Sequence, residues 1–376
     1  MSFYNINFCL KLFNLMGTHP DKRGSVLQVM IYILGAVLNL SIVFLSILLL
    51  FIKERVTITD VTDSIETIGL LLHGFLKLTN LFIKRSKISN LLRAMEAHFW
   101  KIEDVTDTDA RTSHQRFLNS LKNVLKFFTS LCAFLAVLFI IKGFVGQTVF
   151  EIYLPNWFPL YLSVFYQSFT CVLTISFPVI STDLFIFTIF MLTSLQFKLL
   201  NEEARNVFGK KGEGGIDDEV IKARIKKCVD HHIFLKDFVK MLNDTFSQVL
   251  FIYNGDIVLS LCVEMFIVST QNSFQTAAKA AVYVFTGMFQ YTVCYCIAAQ
   301  AITDEASEIS KSVYFGNWYE HPEKYIRNAT TLMIGVGQRP VAITALSFIK
   351  VNLETCLKTT QTILSYCMFL RTMGIN

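Results

Sequence analysis

Charge is what this chain has least of. Asp, Glu, Lys and Arg make up 17% of its 376 residues, against roughly 25% in a soluble domain, too few to clothe a large water-facing surface. Paired cysteine motifs are missing as well. The nine cysteines, Cys9, Cys132, Cys171, Cys228, Cys262, Cys294, Cys296, Cys356 and Cys367, form neither a CxxC pair nor a secreted framework, and most sit in apolar segments as small hydrophobes. There is no HExxH and no histidine box, and the neighbours His231 and His232 cannot form the i, i+4 pair of a zinc helix. The GVG at Gly335 to Gly337 lacks the strand-turn-helix context of a nucleotide fingerprint, and GKKGEGG misses phosphate-loop spacing. No internal repeat or low-complexity segment stands out. These absences argue against an enzyme: no catalytic residue, no metal and no cofactor is expected.

What the chain does have is grease. It is 53% hydrophobic, with 35 Phe and a mean hydropathy of +0.48. Residues 26–52 hold no charge, and at 1.5 Å per residue they make a helix of about 40 Å, enough for a hydrocarbon core of about 30 Å. Further spans follow at 68–83, interrupted only by Lys77, at 127–141, in the stretch 152–197 with Asp183 as its single charge, at 245–268 with Asp256 and Glu264, at 280–303 and at 352–373. The N-terminal run, broken by Lys11 and followed by HPDKRG without a small-residue cleavage site, reads as a short amphipathic segment at the membrane surface rather than a signal peptide. Residues 209–219, GKKGEGGIDDE, read as a flexible loop tip.

Lysine and arginine sort the loops, because cytoplasmic loops accumulate them. The N-terminal segment, 84–126, 198–240 and 302–330 carry 25, and the alternate loops carry 5. The stretch 152–197 is long enough for two helices, but it joins a poor loop to a rich one, so it crosses once, with Pro155, Pro159 and the PNWFPLY aromatics as an outer lead-in. The expected class is therefore all-α, seven transmembrane helices, with a cytoplasmic N-terminus and an extracellular C-terminus. That orientation is the reverse of a G-protein-coupled receptor. The outer loops also lack a disulfide cysteine, and neither a DRY-like nor an NPxxY motif occurs. The +5 net charge lies in a few loops, so no nucleic-acid partner is implied.

Three features leave two readings each. Lys77, Asp183, Asp256 and Glu264, costly at bilayer depth, either pair with one another or touch a ligand or ion. The aromatics Phe139, Phe144, Phe169, Phe177, Tyr283, Phe285 and Phe289 either pack or line an apolar pocket for a small, weakly polar molecule. In the last span, NLETCLKTTQTILSYCMFLRTM, Thr355, Lys358, Thr362, Ser365, Phe369 and Thr372 form one stripe, with Cys356, Thr360, Ile363, Cys367 and Leu370 largely on another. The polar stripe either packs between helices or lines water, with Phe369 as a dry constriction.

Residues 338–373 carry an RP pair (Arg339, Pro340), an apolar-small run to Phe348, then Val351, Leu353, Glu354 and Thr355, and Ser365 and Tyr366 before the last apolar turn. This resembles the C-terminal signature of insect odorant receptors, as do STDLF at Ser181 to Phe185 and FIKRSKISNLL at Phe82 to Leu92. Cys356, where the family usually has an aromatic residue, and Cys367 depart from it. The resemblance implies a subunit of a tetrameric, odorant-gated, non-selective cation channel in the plasma membrane of a sensory-neuron dendrite, in contact with membrane lipid and passing cations. It implies assembly with the family's longer co-receptor, this chain being the tuning subunit. Residues 1–300 would hold helices one to six with the outer ligand pocket, and 301–376 a cytoplasmic anchor portion and the pore-lining seventh helix. By depth, a small volatile odorant would meet Leu72, Phe75, Phe139, Gly143, Phe169, Leu173, Phe177, Ala281, Phe285 and Met288. Thr362, Ser365, Phe369 and Thr372 would line the pore and gate. A metabotropic receptor and a transporter using the intramembrane acids are the alternatives.

Overall fold

The computed structural model describes the chain except residues 1–3, 23, 54–57, 103–107, 145–147, 156, 210–216, 271–273, 322 and 374–376. Within the helices it also leaves out the side chains of 4, 5, 58, 59, 62, 108–110, 128, 131, 132, 135, 136, 138–140, 142–144, 269, 270, 275, 276, 279, 370, 371 and 373. Most of the loop tip expected at 209–219 lies outside the described residues. The rest is mostly helical: α1 (Tyr4–Leu15), α2 (Val26–Ile52), α3 (Ile58–Ile83), α4 (Arg85–His98), α5 (Thr108–Phe144), α6 (Leu160–Cys171), α7 (Phe177–Arg205), α8 (Asp218–Thr270), α9 (Phe274–Gln290), α10 (Ala298–Tyr314), α11 (Lys324–Gly337) and α12 (Leu353–Met373). Two π-helical turns, Val172–Ser176 and Tyr291–Ile297, join α6 to α7 and α9 to α10 without a break. Among the described residues, four helices are long and apolar enough to cross a membrane by length and composition: Val26–Ile52, Leu160–Arg205, Asp218–Val268 and Ala280–Glu320. The second of them is the stretch whose single crossing the charge count requires.

α2 shows what solvent the chain is built for. Its buried residues are Gln28, Gly35, Asn39, Ile42 and Ser46, while Leu27, Met30, Ile33, Leu34, Val37, Leu40 and Phe44 face outward. Polar and small groups point inward and aliphatics outward, the arrangement that lipid favours and water does not. Asn39, which sits in a glycosylation sequon, is fully buried and donates to Leu71 O (3.2 Å) and Thr174 Oγ1 (3.0 Å), so it is an interhelical strut. α7 is the opposite case, a central post buried on nearly every side and packed by α1, α3, α5, α8 and α10.

Two segments outside the spans pack onto the bundle. In the N-terminal one, Ile6, Cys9 and Phe13, spaced three and four apart, are buried against the core, the Phe13 and Phe185 rings meeting edge-on at 5.3 Å, while Phe8 and Leu15 stay exposed. The polar stretch 84–126 holds α4 and the first half of α5, and Ile88, Leu91 and Met95 give α4 an apolar stripe, which seats it on α8. α8 itself runs 53 residues, about 80 Å, so its basic first half projects well beyond a bilayer core. There His231 stacks on Trp100 at 3.9 Å. Burial first, then the charges of Lys227, His98 and His232, holds its pKa down to about 3, which keeps the ring neutral.

The segment before α12 is a two-residue-per-strand hairpin, Thr344–Ala345 against Ile349–Lys350, reversed through Leu346 and Ser347 at positive φ. Asn243 of α8 holds it from both sides, donating to Ala342 O (3.0 Å) and accepting from Thr344 N (2.9 Å). Asn352 then caps α12, its Oδ1 taking the Thr355 N–H at 2.8 Å.

Candidate functional site

A fully buried acid sits at the centre of the helix bundle. Asp183 of α7 accepts at Oδ1 from Lys77 Nζ of α3 (2.6 Å) and from the Tyr295 hydroxyl, and at Oδ2 from the Gln290 side-chain amide. Lys77, 1% exposed, has its ammonium 4.6 Å from the centre of the Tyr253 ring and 5.8 Å from that of Tyr295. Each such contact contributes up to about 2 kcal/mol once desolvated. One turn back along α3, His73 Nδ1 lies 2.9 Å from Asp256 Oδ2, and its ring leans on Tyr253 at 4.7 Å. Of the four intramembrane charges expected from sequence, Lys77 and Asp183 pair with each other. Asp256 instead takes His73, which the sequence reading did not single out.

Backbone geometry brings these groups together. Gly74, between His73 and Lys77, lets α3 touch the first π-turn: a Cβ there would stand 2.2 Å from Thr174 O. The second π-turn inserts an extra residue into its helix, which re-aims the faces beyond it. It buries Tyr291, Cys294, Tyr295 and Cys296 together, so Tyr295 meets Asp183 while Tyr291 donates to Asn254 Oδ1 at 2.7 Å. The arrangement is a closed cage of donors around one carboxylate, built to hold charge in a low-dielectric interior. Within it the Tyr253 hydroxyl has no hydrogen-bond partner among the described residues.

The residues expected around an odorant are only partly assembled. Phe177 and Met288 pack against the main core, a short way along their helices from Asp183 and Gln290. Phe75 and Leu173 are half-buried, whereas Leu72, Phe169, Ala281 and Phe285 are exposed. Phe169 stacks on Phe165 and Phe285 on Phe289. Phe139 and Gly143 belong to α5, and their surroundings lie outside what the structure describes. Two open clefts occur elsewhere: one of about 730 Å³ beside α1, at Lys11, Asn14 and His19, and one of about 460 Å³ between Trp100 and α8. None of the other eight expected residues lines either.

α12 is covered on one side only. Cys356, Thr359, Ile363 and Cys367 are buried against α8 and the second π-turn. Lys358, Thr362, Ser365, Phe369 and Thr372 are exposed along the other stripe, with Thr355 half-buried at its start. Within this chain the polar stripe therefore does not pack between helices. Its threonines satisfy themselves on their own segment, Thr362 on Lys358 O (2.9 Å) and Thr372 on Phe369 O (2.7 Å).

A family model described as 7tm Odorant receptor matches residues 57–364. Among curated proteins, Odorant receptor 13a of Drosophila melanogaster is 26% identical over 47% of this chain and 45% of its own length. Odorant receptor 22a of the same species is 22% identical over 44% and 40%. Odorant receptor Or2 of Anopheles gambiae is 25% identical over 40% and 39%. The chain thus matches less than half the length of these relatives. Among solved structures, the insect olfactory receptor OR5 from Machilis hrabei in complex with eugenol superposes with a TM-score of 0.76 over 98% of each chain at 15% identity. The same receptor in a structure described without a ligand superposes with a TM-score of 0.72 over 94% of this chain and 90% of that one.

Proposed function

Because this chain belongs to the insect odorant receptor family, the match running through residues 57–364, we propose that it is a tuning subunit of an odorant-gated, non-selective cation channel. In this reading it is a multi-pass protein of the plasma membrane of a sensory-neuron dendrite, assembled with the family's co-receptor into a tetramer around one pore. Its N-terminus is cytoplasmic and its C-terminus outside. Residues 1–300 carry the helices that hold the odorant, and 301–376 the cytoplasmic anchor portion and the pore helix. The observation that carries the reading is α12: Lys358, Thr362, Ser365, Phe369 and Thr372 stay uncovered on a helix whose other face is buried. A stripe of hydroxyls interrupted by one aromatic ring suits a wet passage with a dry constriction at Phe369.

The odorant site lies in the same reading among Leu72, Phe75, Phe139, Gly143, Phe169, Leu173, Phe177, Ala281, Phe285 and Met288. Such an apolar pocket binds by desolvation and shape, with few polar contacts and modest affinity. Better fit in the open arrangement shifts the population toward it. Pairing of Lys77 with Asp183 supports a structural use of these charges over ion transport, which tells against the transporter, and the family match does not favour a G-protein-coupled receptor.

Co-expression with the co-receptor should give odor-evoked cation current without G-protein signalling, and Phe369→Ala should raise basal opening or alter rectification. Silence across a broad odor panel with intact surface expression removes the channel reading; unchanged conductance, rectification and opening probability in Phe369→Ala removes the gate. Separately, a C-terminal epitope tag should be labelled by antibody on unpermeabilised cells. Labelling only after permeabilisation overturns the topology.

A further inference from the structure

We propose that Asn254 is the positioning residue that couples the buried Asp183 cage to α12, with Tyr291 and Thr359 as its two arms; the proposal rests on the channel reading above. Asn254 Oδ1 accepts from the Tyr291 hydroxyl at 2.7 Å and from Thr359 Oγ1 at 3.4 Å. Tyr291 and Tyr295 share one π-turn, and Tyr295 is the residue that donates to Asp183. A single turn of backbone therefore holds the cage at one end and the α12 contact at the other. The cage also reaches Asn254 through its neighbour Tyr253, whose ring lies 4.9 Å from Tyr295 and 4.6 Å from the Lys77 ammonium.

On α12 the contact is specific. The Thr355, Thr360, Thr362 and Thr372 hydroxyls bond carbonyls of their own segment, and Thr359, 6% exposed, sends its hydroxyl to another helix. The flanking contacts keep that face in register: Thr292 Oγ1 lies 3.3 Å from Cys356 Sγ one turn before, and Cys262 Sγ lies 3.8 Å from Ile363 O one turn after. α12 cannot turn or slide by half a residue without changing the Thr359 arm, whose length makes it the weaker of the two and the one that re-forms as the helix moves. A rearrangement of the cage that tilts the π-turn reaches α12 through the same oxygen. Two arms on one acceptor make the residues a unit, and units of this kind are non-additive when cut.

The experiment expresses the full chain with the co-receptor in oocytes and measures current evoked by volatile alcohols, esters, ketones and phenols, eugenol included. Tyr291→Phe and the nearly isosteric Thr359→Val each remove one hydroxyl. Each should raise the half-maximal concentration of the active odorant about fivefold at unchanged surface expression. The double variant should stay near fivefold to tenfold rather than reach the product of about 25-fold, and Thr359→Ser, which keeps the hydroxyl, should stay within twofold of wild type. Wild-type current with unshifted single variants, or with shifts that simply multiply, overturns the coupling role alone. A silent wild-type chain at normal surface level overturns the channel reading and this proposal with it.

Discussion

Lys77→Met is expected to remove most of the receptor from the cell surface. The substitution keeps an unbranched chain of similar length but leaves Asp183 as an unpaired carboxylate with no exposed surface. Breaking a buried ion pair by deleting one partner costs about 3–5 kcal/mol, comparable with the whole stability of many domains, roughly 5–15 kcal/mol. The Gln290 and Tyr295 donors soften the loss but do not cancel it, because they neutralise none of the charge. The lost ammonium also vacates the faces of Tyr253 and Tyr295. Lys77→Met/Asp183→Asn should recover much of the surface protein, since the amide keeps an acceptor for Tyr295 and the stranded charge is gone. Surface biotinylation measures both. Wild-type levels in the single variant, or a double variant no better than the single, would show that the pair does not hold the fold.

The same cage shows where sequence reading stops. Absence of charge over residues 26–52 predicts a lipid-facing helix, and α2 has those bounds because hydropathy is a local property. The parity of basic loops predicts one crossing between 152 and 197, where α6, the first π-turn and α7 run on as one helix. Lys77 and Asp183 stand out from sequence because ionisable residues are rare in apolar runs. Gln290, Tyr253 and Tyr295 do not stand out, because what makes them notable is a partner more than 100 residues away, Asp183 for Gln290 and Tyr295 and Lys77 for Tyr253, and no periodicity encodes that. π-turns escape the 3.6-residue pattern for the same reason: one inserted residue re-aims a face without changing composition. α12 is the intermediate case. Its two stripes are legible from helical spacing, and Cys356, Ile363 and Cys367 are indeed on the covered side. Thr359 is buried among them and Thr360 only half-buried, a difference between neighbours that helical spacing alone does not resolve. For the aromatic residues chosen by depth, depth fixes height along a helix but leaves azimuth open. Phe177 faces the core whereas Phe285 faces out.

Gly74→Ala should lower the thermal stability of the detergent-purified chain by several degrees, although alanine is the better helix former by about 1 kcal/mol. The new methyl would lie 2.2 Å from Thr174 O, 3.0 Å from Ile175 Cα and 3.1 Å from Thr174 C. All three are backbone atoms of a helix fixed by its own hydrogen bonds, so no side chain can swing aside. α3 must retreat by about 1 Å, and overpacking of this kind typically costs 1–3 kcal/mol. The retreat also reaches the cage. Lys77 is three residues along α3, and its 2.6 Å bond to Asp183 would be stretched past the length at which a charge-assisted hydrogen bond stays strong. Gly35→Ala is the matched control in α2: its methyl would meet only Leu78 Cδ2 at 3.6 Å and Thr174 Cγ2 at 3.8 Å, ordinary contact distances, so the propensity gain should stand and melting should hold or rise. Fluorescence-detected size-exclusion melting of both variants separates steric approach from a general intolerance of helix substitutions. If Gly74→Ala melts with wild type, α3 and the first π-turn are not held at backbone contact, and Gly74 does not set the approach on which the Lys77–Asp183 pair depends.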